Sequence, residues 1–314
     1  MTSKEDLKIQ KIKLALKVKA IVLEAARSWL NKQGFVEVQG PILMPATGKR
    51  PQSFQVDYFN KKAFLSGGLA PYSDAFVEMF GKVYTIAPTF RAEPLRDKRH
   101  LTEFWRIEVA ASNLDLNEII RAEEELIADI CQVLCKEATN ELSLLRGSIS
   151  NLKQIRTPFP KITYDKAVER LQQAGCKINW GEPINSEIEN KLSMMFDIPF
   201  FVSEFPVSGE TFFHKSHPKK PELSLSADLL APEGYGEIAS GGETITDKKE
   251  LQRKLREMKI ENADRRWYLN LKRFSSKPQS GFAIGIERTI QWLCRLKNVK
   301  EATMFPRTYD LINQ

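Results

Sequence analysis

Apolar residues at Ile9, Ile12, Leu16, Ala20, Leu23, Ala26 and Leu30 recur at helical spacing, and Gly34 follows as a stop, so the chain is predicted to open with a long helix. Phe35 to Val38 reads as a strand running into Pro41, whose missing N–H suits a strand edge or turn. Residues 42–75 are rich in Gly, Pro and Ser around Tyr58, Phe59, Phe64 and Leu65, and are predicted to be strands joined by turns. Alternation in 83–91 and 103–110 predicts an antiparallel pair joined by the charged loop 93–99. Side chains two apart share a face, which assigns Trp105, Ile107 and Val109 to the core and Phe104, Arg106 and Glu108 to the opposite face. Residues 117–136 are predicted to be an amphipathic helix with Ile119, Leu126, Ile130 and Val133 on one side.

Residues 140–200, punctuated by Pro158, Pro160, Pro183 and Pro199, are expected to be a small inserted segment within one domain spanning 1–314. Strand character returns at 200–213 and 223–230, followed by the glycine-rich stretch 233–243. Leu251, Leu255 and Met258 mark a helix, and Gly281–Gly285 leads into a last helix over 287–296. Few strand–helix–strand repeats occur, so the expected class is α+β, a mainly antiparallel sheet flanked by helices.

With 42% hydrophobic and 28% charged residues, the composition excludes wholesale disorder, collagen and a membrane-embedded chain. No run approaches a membrane span and no signal-peptide pattern opens the chain, so a cytoplasmic location with no membrane partner is expected. A net charge of +7 is compatible with anionic partners from nucleotides to RNA. The first twenty residues hold six lysines, which suit either a solvated helix face or an RNA-binding one. The four cysteines are expected to be reduced and mostly buried, and Trp29, Trp180 and Trp292 to serve the core or an interface. His214 and His217 lack the further ligands of a zinc set; their other reading is a loop over a pocket.

Neither common glycine-rich phosphate cradle is present, so a nucleotide must be held by another device. Residues 90–108, FRAEPLRDKRHLTEFWRIE, supply one candidate. Arg91 can fork onto a phosphate or carboxylate, a further Arg or His in the loop can reach outer phosphates, and Phe104 can stack on a base. The competing reading is a set of surface salt bridges. In EGYGEIASGG, residues 233–242, Glu237 among small residues can approach a polyphosphate and ligate Mg2+, with Asp228 as second carboxylate or as a water-facing acid. In GFAIGIERTIQWL, residues 281–293, Arg288 sits just inside a helix start, a place that favours anions.

Together these segments resemble the catalytic domain of a class II aminoacyl-tRNA synthetase of the asparaginyl and aspartyl branch, over roughly residues 10 to 310. The opening helix with GFVEVQGPIL resembles motif 1, VYTIAPTFRAE with RHLTEFWRIE resembles motif 2, and GFAIGIERTIQWL resembles motif 3. The resemblance implies an antiparallel active-site sheet, a homodimer built partly through motif 1, and ATP with Mg2+ activating a small carboxylic or amino acid as its adenylate. Carried over by position, it implies Arg91 at the α-phosphate and carboxylate, Glu93 and Phe104 at the adenine, and Arg99 and His100 near the outer phosphates. It further implies Arg288 at the γ-phosphate and Glu237 on magnesium. Arg91 and Arg288 are thus the expected catalytic residues.

Two departures stand out. Only some ten residues precede the first helix, where the family places an oligonucleotide-binding barrel, so that domain is expected to be absent. In the amino-acid pocket, the family's SGQL or SPQL reads Ser66, Gly67, Gly68, Leu69; Pro71 replaces the aspartyl lysine, and Thr244 replaces the arginine seven residues after Glu237. The nearby cations are Lys219, Lys220 and Arg50. Length and layout look similar to stand-alone archaeal asparagine synthetase-related paralogues, so ammonia is the expected acyl acceptor. The alternatives are transfer to tRNA or another carrier, and a non-catalytic ATP- or RNA-binding paralogue.

Overall fold

The computed structural model describes residues 4–45, 53–70, 72–207, 213–257, 266, 269–270, 272 and 277–312. An eight-stranded sheet organises them, in the order β1(Val36–Glu37), β5(Lys82–Phe90), β6(Glu103–Ser112), β13(Gln279–Gly285), β12(Gly236–Thr244), β11(Ser226–Ala231), β8(Phe200–Ser203), β7(Lys161–Thr163). The two edge pairings, β1 with β5 and β7 with β8, are parallel, and every pairing between them is antiparallel. The expected α+β class is therefore observed, with parallel pairs added at both edges. A three-stranded sheet of β2(Leu43–Met44), β4(Lys61–Leu65) and β3(Gln55–Tyr58) and a hairpin of β9(Ser216–His217) and β10(Lys220–Ser224) complete the strands.

One face of the central sheet is dry. Ile107 and Val109 of β6, Phe282 and Ile284 of β13, and Ala239 of β12 are buried against three helices. These are α1(Lys4–Lys32), α3(Leu116–Glu137) and, numbered in order of chain, α9(Ile286–Leu293). Their inward residues follow the helical period: Ala15, Val18, Val22, Ala26 and Leu30 on α1, and Ile119, Leu126, Ile130 and Leu134 on α3. A capping box starts α3, with the Asp115 carboxylate accepting from the Glu118 N–H at 2.9 Å and Glu118 accepting from the Asp115 N–H at 2.8 Å.

The lysines of α1 divide: Lys8, Lys13 and Lys17 are exposed, as on a solvated helix face, while Lys11, Lys17 and Lys19 pair with Glu301, Glu141 and Glu287.

The 140–200 segment divides between the two faces: Leu142 of α4(Thr139–Arg146) and Leu152 of α5(Ser150–Gln154) join the dry-face core, β7 extends the sheet, and α6(Tyr164–Gln173) and α7(Ser186–Ser193) cover one edge of the other face. Tyr164, Val168 and Leu171 of α6 and Leu192 of α7 pack with Phe200, Val202 and Leu230, the residues of β8 and β11 that alternate with the dry-face set. The central strands β6, β13 and β12 stay uncovered on that side and form the floor of a recess.

Two expectations need correction. The end of the 42–75 stretch read as strands starts a helix, α2(Ser73–Phe80), which has no side-chain N-cap bond to announce it. The glycine-rich stretch 233–243, with no element predicted for it, is largely strand β12. Trp105 is 41% exposed although its backbone N–H donates to Glu287 Oε2 at 2.9 Å, and only Ile107 and Val109 reach the core. Trp29 and Trp292 are buried as expected, whereas Trp180 is exposed and donates to the Asp165 carboxylate at 2.7 Å. All four cysteines are free. Among the described residues no helix is long and apolar enough to cross a membrane.

Candidate active site

Small residues make the floor of the recess. Across β6, β13 and β12 the register sets Glu108 beside Ala283 and Ser240, and Ala110 beside Gly281 and Gly242. The absence of bulky side chains leaves a volume of about 240 Å3 on this face. Arg91, Glu93, Arg99, His100, Phe104, Glu237 and Arg288, which come from three distant segments, all line it.

Arg91 follows β5, and its backbone N–H donates to the Thr102 carbonyl at 2.9 Å. Its guanidinium lies 5.7 Å from the centre of the Phe104 ring and 3.6 Å from the Glu93 carboxylate. Burial first, and then the neighbouring Arg106, push its pKa down to about 10, which leaves it charged at neutral pH.

At the opposite wall, Arg288 Nη1 donates to Glu237 Oε2 at 2.7 Å. Arg288 Nη2 donates to His100 Nε2 at 3.2 Å, and His100 Nδ1 lies 2.6 Å from Asp97 Oδ2. Because a guanidinium can only donate, this arrangement makes Nε2 the acceptor, and His100 links Arg288 to Asp97. Burial alone would raise the Glu237 pKa, but Arg288, Arg99 and Arg91 outweigh it and hold the carboxyl below its ordinary value. Arg99 is only 7% exposed, and its guanidinium is engaged by Glu189 and by the Glu237 carbonyl, the latter at 2.8 Å.

Of the 66–69 turn, Gly67 and Leu69 line the recess, whereas Ser66 and Gly68 do not. The Ser66 hydroxyl accepts from the Gly68 N–H at 3.0 Å, and the Leu69 N–H donates to Glu108 Oε2 at 2.9 Å. Gly68 has φ +138°, and a Cβ there would lie 2.6 Å from Glu108 Oε1. The Glu108 carboxylate thus occupies the space that a side chain at position 68 would need. Thr244 lines the recess too, its hydroxyl donating to the Gln279 carbonyl at 3.2 Å. His214 borders it beside Phe213, buried and bridged to Thr244, whereas His217 lies in β9 and does not line it.

Some expected partners are not brought together. Asp228 stands opposite Ser240 in the sheet and does not line the recess, whereas Leu230 is the residue opposite Glu237. Lys219 and Lys220 also lie outside the lining, and Lys220 pairs with Glu204 at 3.5 Å. Pro71 and Arg50 fall outside the described residues. Conversely, alternation along β6 put Arg106 and Glu108 on the right face without assigning them work. Glu189 and Glu287 carried no sequence signal at all.

The family model for tRNA synthetases class II (D, K and N) matches residues 4–309. An asparagine–tRNA ligase of Pyrococcus abyssi is 39% identical over 299 residues, covering 95% of this chain and 69% of that protein. One from Thermococcus gammatolerans is 39% identical over 303 residues, covering 96% and 70%. The structure of asparaginyl-tRNA synthetase from Pyrococcus horikoshii complexed with asparaginyl-adenylate superposes with a TM-score of 0.94 at 38% identity, covering 97% of this chain and 70% of that one. These matches overturn ammonia as the expected acceptor, because the relatives that span nearly the whole chain are tRNA ligases.

Proposed function

The chain belongs to the class II tRNA synthetase family and is an ATP-dependent, AMP-forming, amino-acid-activating enzyme; from that premise we propose that it adenylates asparagine or a close analogue and transfers the acyl group to tRNA. The observation that carries this reading is the convergence of Arg91, Phe104, Glu237 and Arg288 on one recess. In it, Phe104 stacks on the adenine, Glu93 contacts the base, and Arg91 holds the α-phosphate together with the attacking carboxylate. Fixing those two groups in line lowers the entropic barrier, and Arg91 neutralises charge that grows at the α-phosphorus. His100 and Arg288 face the outer phosphates. Glu108, held by the Leu69 N–H, takes the substrate ammonium.

Magnesium suits the donor set, since the Glu237 carboxylate is an anionic oxygen ligand on the recess wall. Glu237 would hold the ion beside the triphosphate, where the ion would neutralise phosphate charge. Asp228, off the recess lining, is the weaker candidate as second ligand.

Thr244 and Gly68 make this amino-acid pocket differ from the pattern of the branch. Thr244 offers a hydroxyl where an arginine fork is expected, so a neutral side chain such as a carboxamide is favoured over a carboxylate. In this reading residues 1–314 form one catalytic domain with 140–200 inserted. Val36, Ile42 and Leu43 of the motif 1 stretch, all exposed and apolar, give a second copy a surface to cover.

The test is transfer of label from asparagine to tRNA in the presence of ATP and Mg2+. Labelled tRNA is expected; adenylate formation without transfer to any tRNA would refute the acceptor assignment.

A further inference from the structure

The helix nearest the nucleotide recess from the 140–200 segment is α7, whose start is fixed by Asn185. The Asn185 side chain accepts from the Glu187 and Ile188 N–H groups at 3.1 and 3.0 Å. One turn in, Glu189 points toward β12, and its Oε2 receives two donors. One is the Arg99 guanidinium; the other is the backbone N–H of Glu237 at 3.2 Å. Arg99 closes the loop by donating from Nη2 to the Glu237 carbonyl at 2.8 Å. Both the N–H and the C=O of Glu237 are therefore gripped by one ion pair.

The backbone beneath is shaped for this grip. Gly236 has φ +68°, and a Cβ on it would lie 2.6 Å from Arg99 Nη1 and 2.9 Å from Glu189 Oε2. No side chain other than hydrogen fits under the clamp. The ion pair is also well shielded, with the Arg99 side chain 7% and the Glu189 side chain 16% exposed. A shielded guanidinium without Glu189 would turn to the nearest carboxylate, and the Glu237 carboxylate adjoins it across the same residue.

We propose that Glu189 is a positioning residue for the nucleotide site: it engages Arg99, locks the Glu237 backbone, and thereby keeps the Glu237 carboxylate on Arg288 and facing the recess. Arg99 then serves as a brace for Glu237 instead of an outer-phosphate ligand. The inserted segment becomes part of the ATP site through a single side chain. The inference rests on the reading of this recess as the nucleotide site, and a direct binding measurement separates the two.

The experiment titrates ATP, with Mg2+, into the full-length wild type and into Glu189→Ala and Glu189→Gln by calorimetry, and then measures KM for ATP and for the amino acid in pyrophosphate exchange. Loss of a charge-assisted contact in a shielded site is expected to weaken ATP binding about tenfold in Glu189→Ala. Glu189→Gln, which keeps the shape and one acceptor oxygen, is expected to fall between. KM for ATP rises while KM for the amino acid stays within about twofold, a split that general unfolding would not produce. Unchanged ATP affinity in both variants, or equal rises in the two KM values, would overturn the proposal. Wild type that binds ATP but supports no exchange would sink the adenylation reading and leave the calorimetric comparison to judge Glu189.

Discussion

Replacing Gly68 by Ala tests how the 66–69 turn and β6 share one space. The backbone at φ +138° is a region that side-chain-bearing residues rarely adopt, at a cost of about 1–3 kcal/mol. The new methyl group would also meet Glu108 Oε1 at 2.6 Å and Oε2 at 2.9 Å, closer than carbon and oxygen can pack. The carboxylate has to move, giving up the Leu69 N–H bond of 2.9 Å. A hydrogen bond to a charged acceptor contributes about 1.5–3 kcal/mol, so the two costs sum to about 2.5–6 kcal/mol. If the strain is carried by the fold and the displacement by the pocket, stability falls by about 1–3 kcal/mol and the amino-acid KM rises at least about tenfold. Pyrophosphate exchange at saturating ATP measures that KM, and thermal unfolding measures the stability. The KM for ATP should stay near wild type, since Arg91, Phe104 and Arg288 are untouched. An alanine variant with wild-type amino-acid KM and melting temperature would refute the account of this turn. Restoring the glutamine of the branch, Gly68→Gln, is expected to fare no better, because Glu108 already occupies the space.

Other expected outcomes address separate parts of the site. Arg91→Ala should lower exchange by about two orders of magnitude or more while circular dichroism stays unchanged, and retained exchange would remove Arg91 from its assigned role. Lys19→Met leaves Glu287 buried without its partner at 2.6 Å, although Glu287 still accepts from the Trp105 N–H at 2.9 Å. The variant should lose about 2–3 kcal/mol in denaturant unfolding, at or below the lower end for buried pairs because Lys19 keeps some water contact. The Glu237 carboxyl is held below its ordinary 4.5 by Arg288, Arg99 and Arg91 acting against burial. Its stabilisation is therefore complete above that value and is lost as pH falls through the depressed one; Glu237→Gln should flatten the acid limb of the stability curve, and an unaltered limb would contradict the pairing.

The parts of this molecule that sequence made legible are those governed by short periods. Strict alternation along β6 sorted Phe104, Arg106 and Glu108 from Ile107 and Val109, and the helical period on α1 and α3 marked their buried faces. The period tells which residues share a face but not how deeply each is covered, and Trp105 on the core face is 41% exposed. Charge was legible as a count but not as pairing. Nothing local tells that Lys19 finds Glu287 at a separation of 268 residues, or that Glu189 meets Arg99 across 90. Asp228 stands opposite Ser240, a lining residue, but is itself outside the recess lining, a placement set by strand register that no local pattern announces.

The most direct measurement is ATP–pyrophosphate exchange by the wild-type chain, run with each proteinogenic amino acid in turn. Exchange driven by asparagine, or by one neutral amino acid of similar size, is expected, with aspartate far weaker. Nucleotide that binds while no amino acid drives exchange would contradict it.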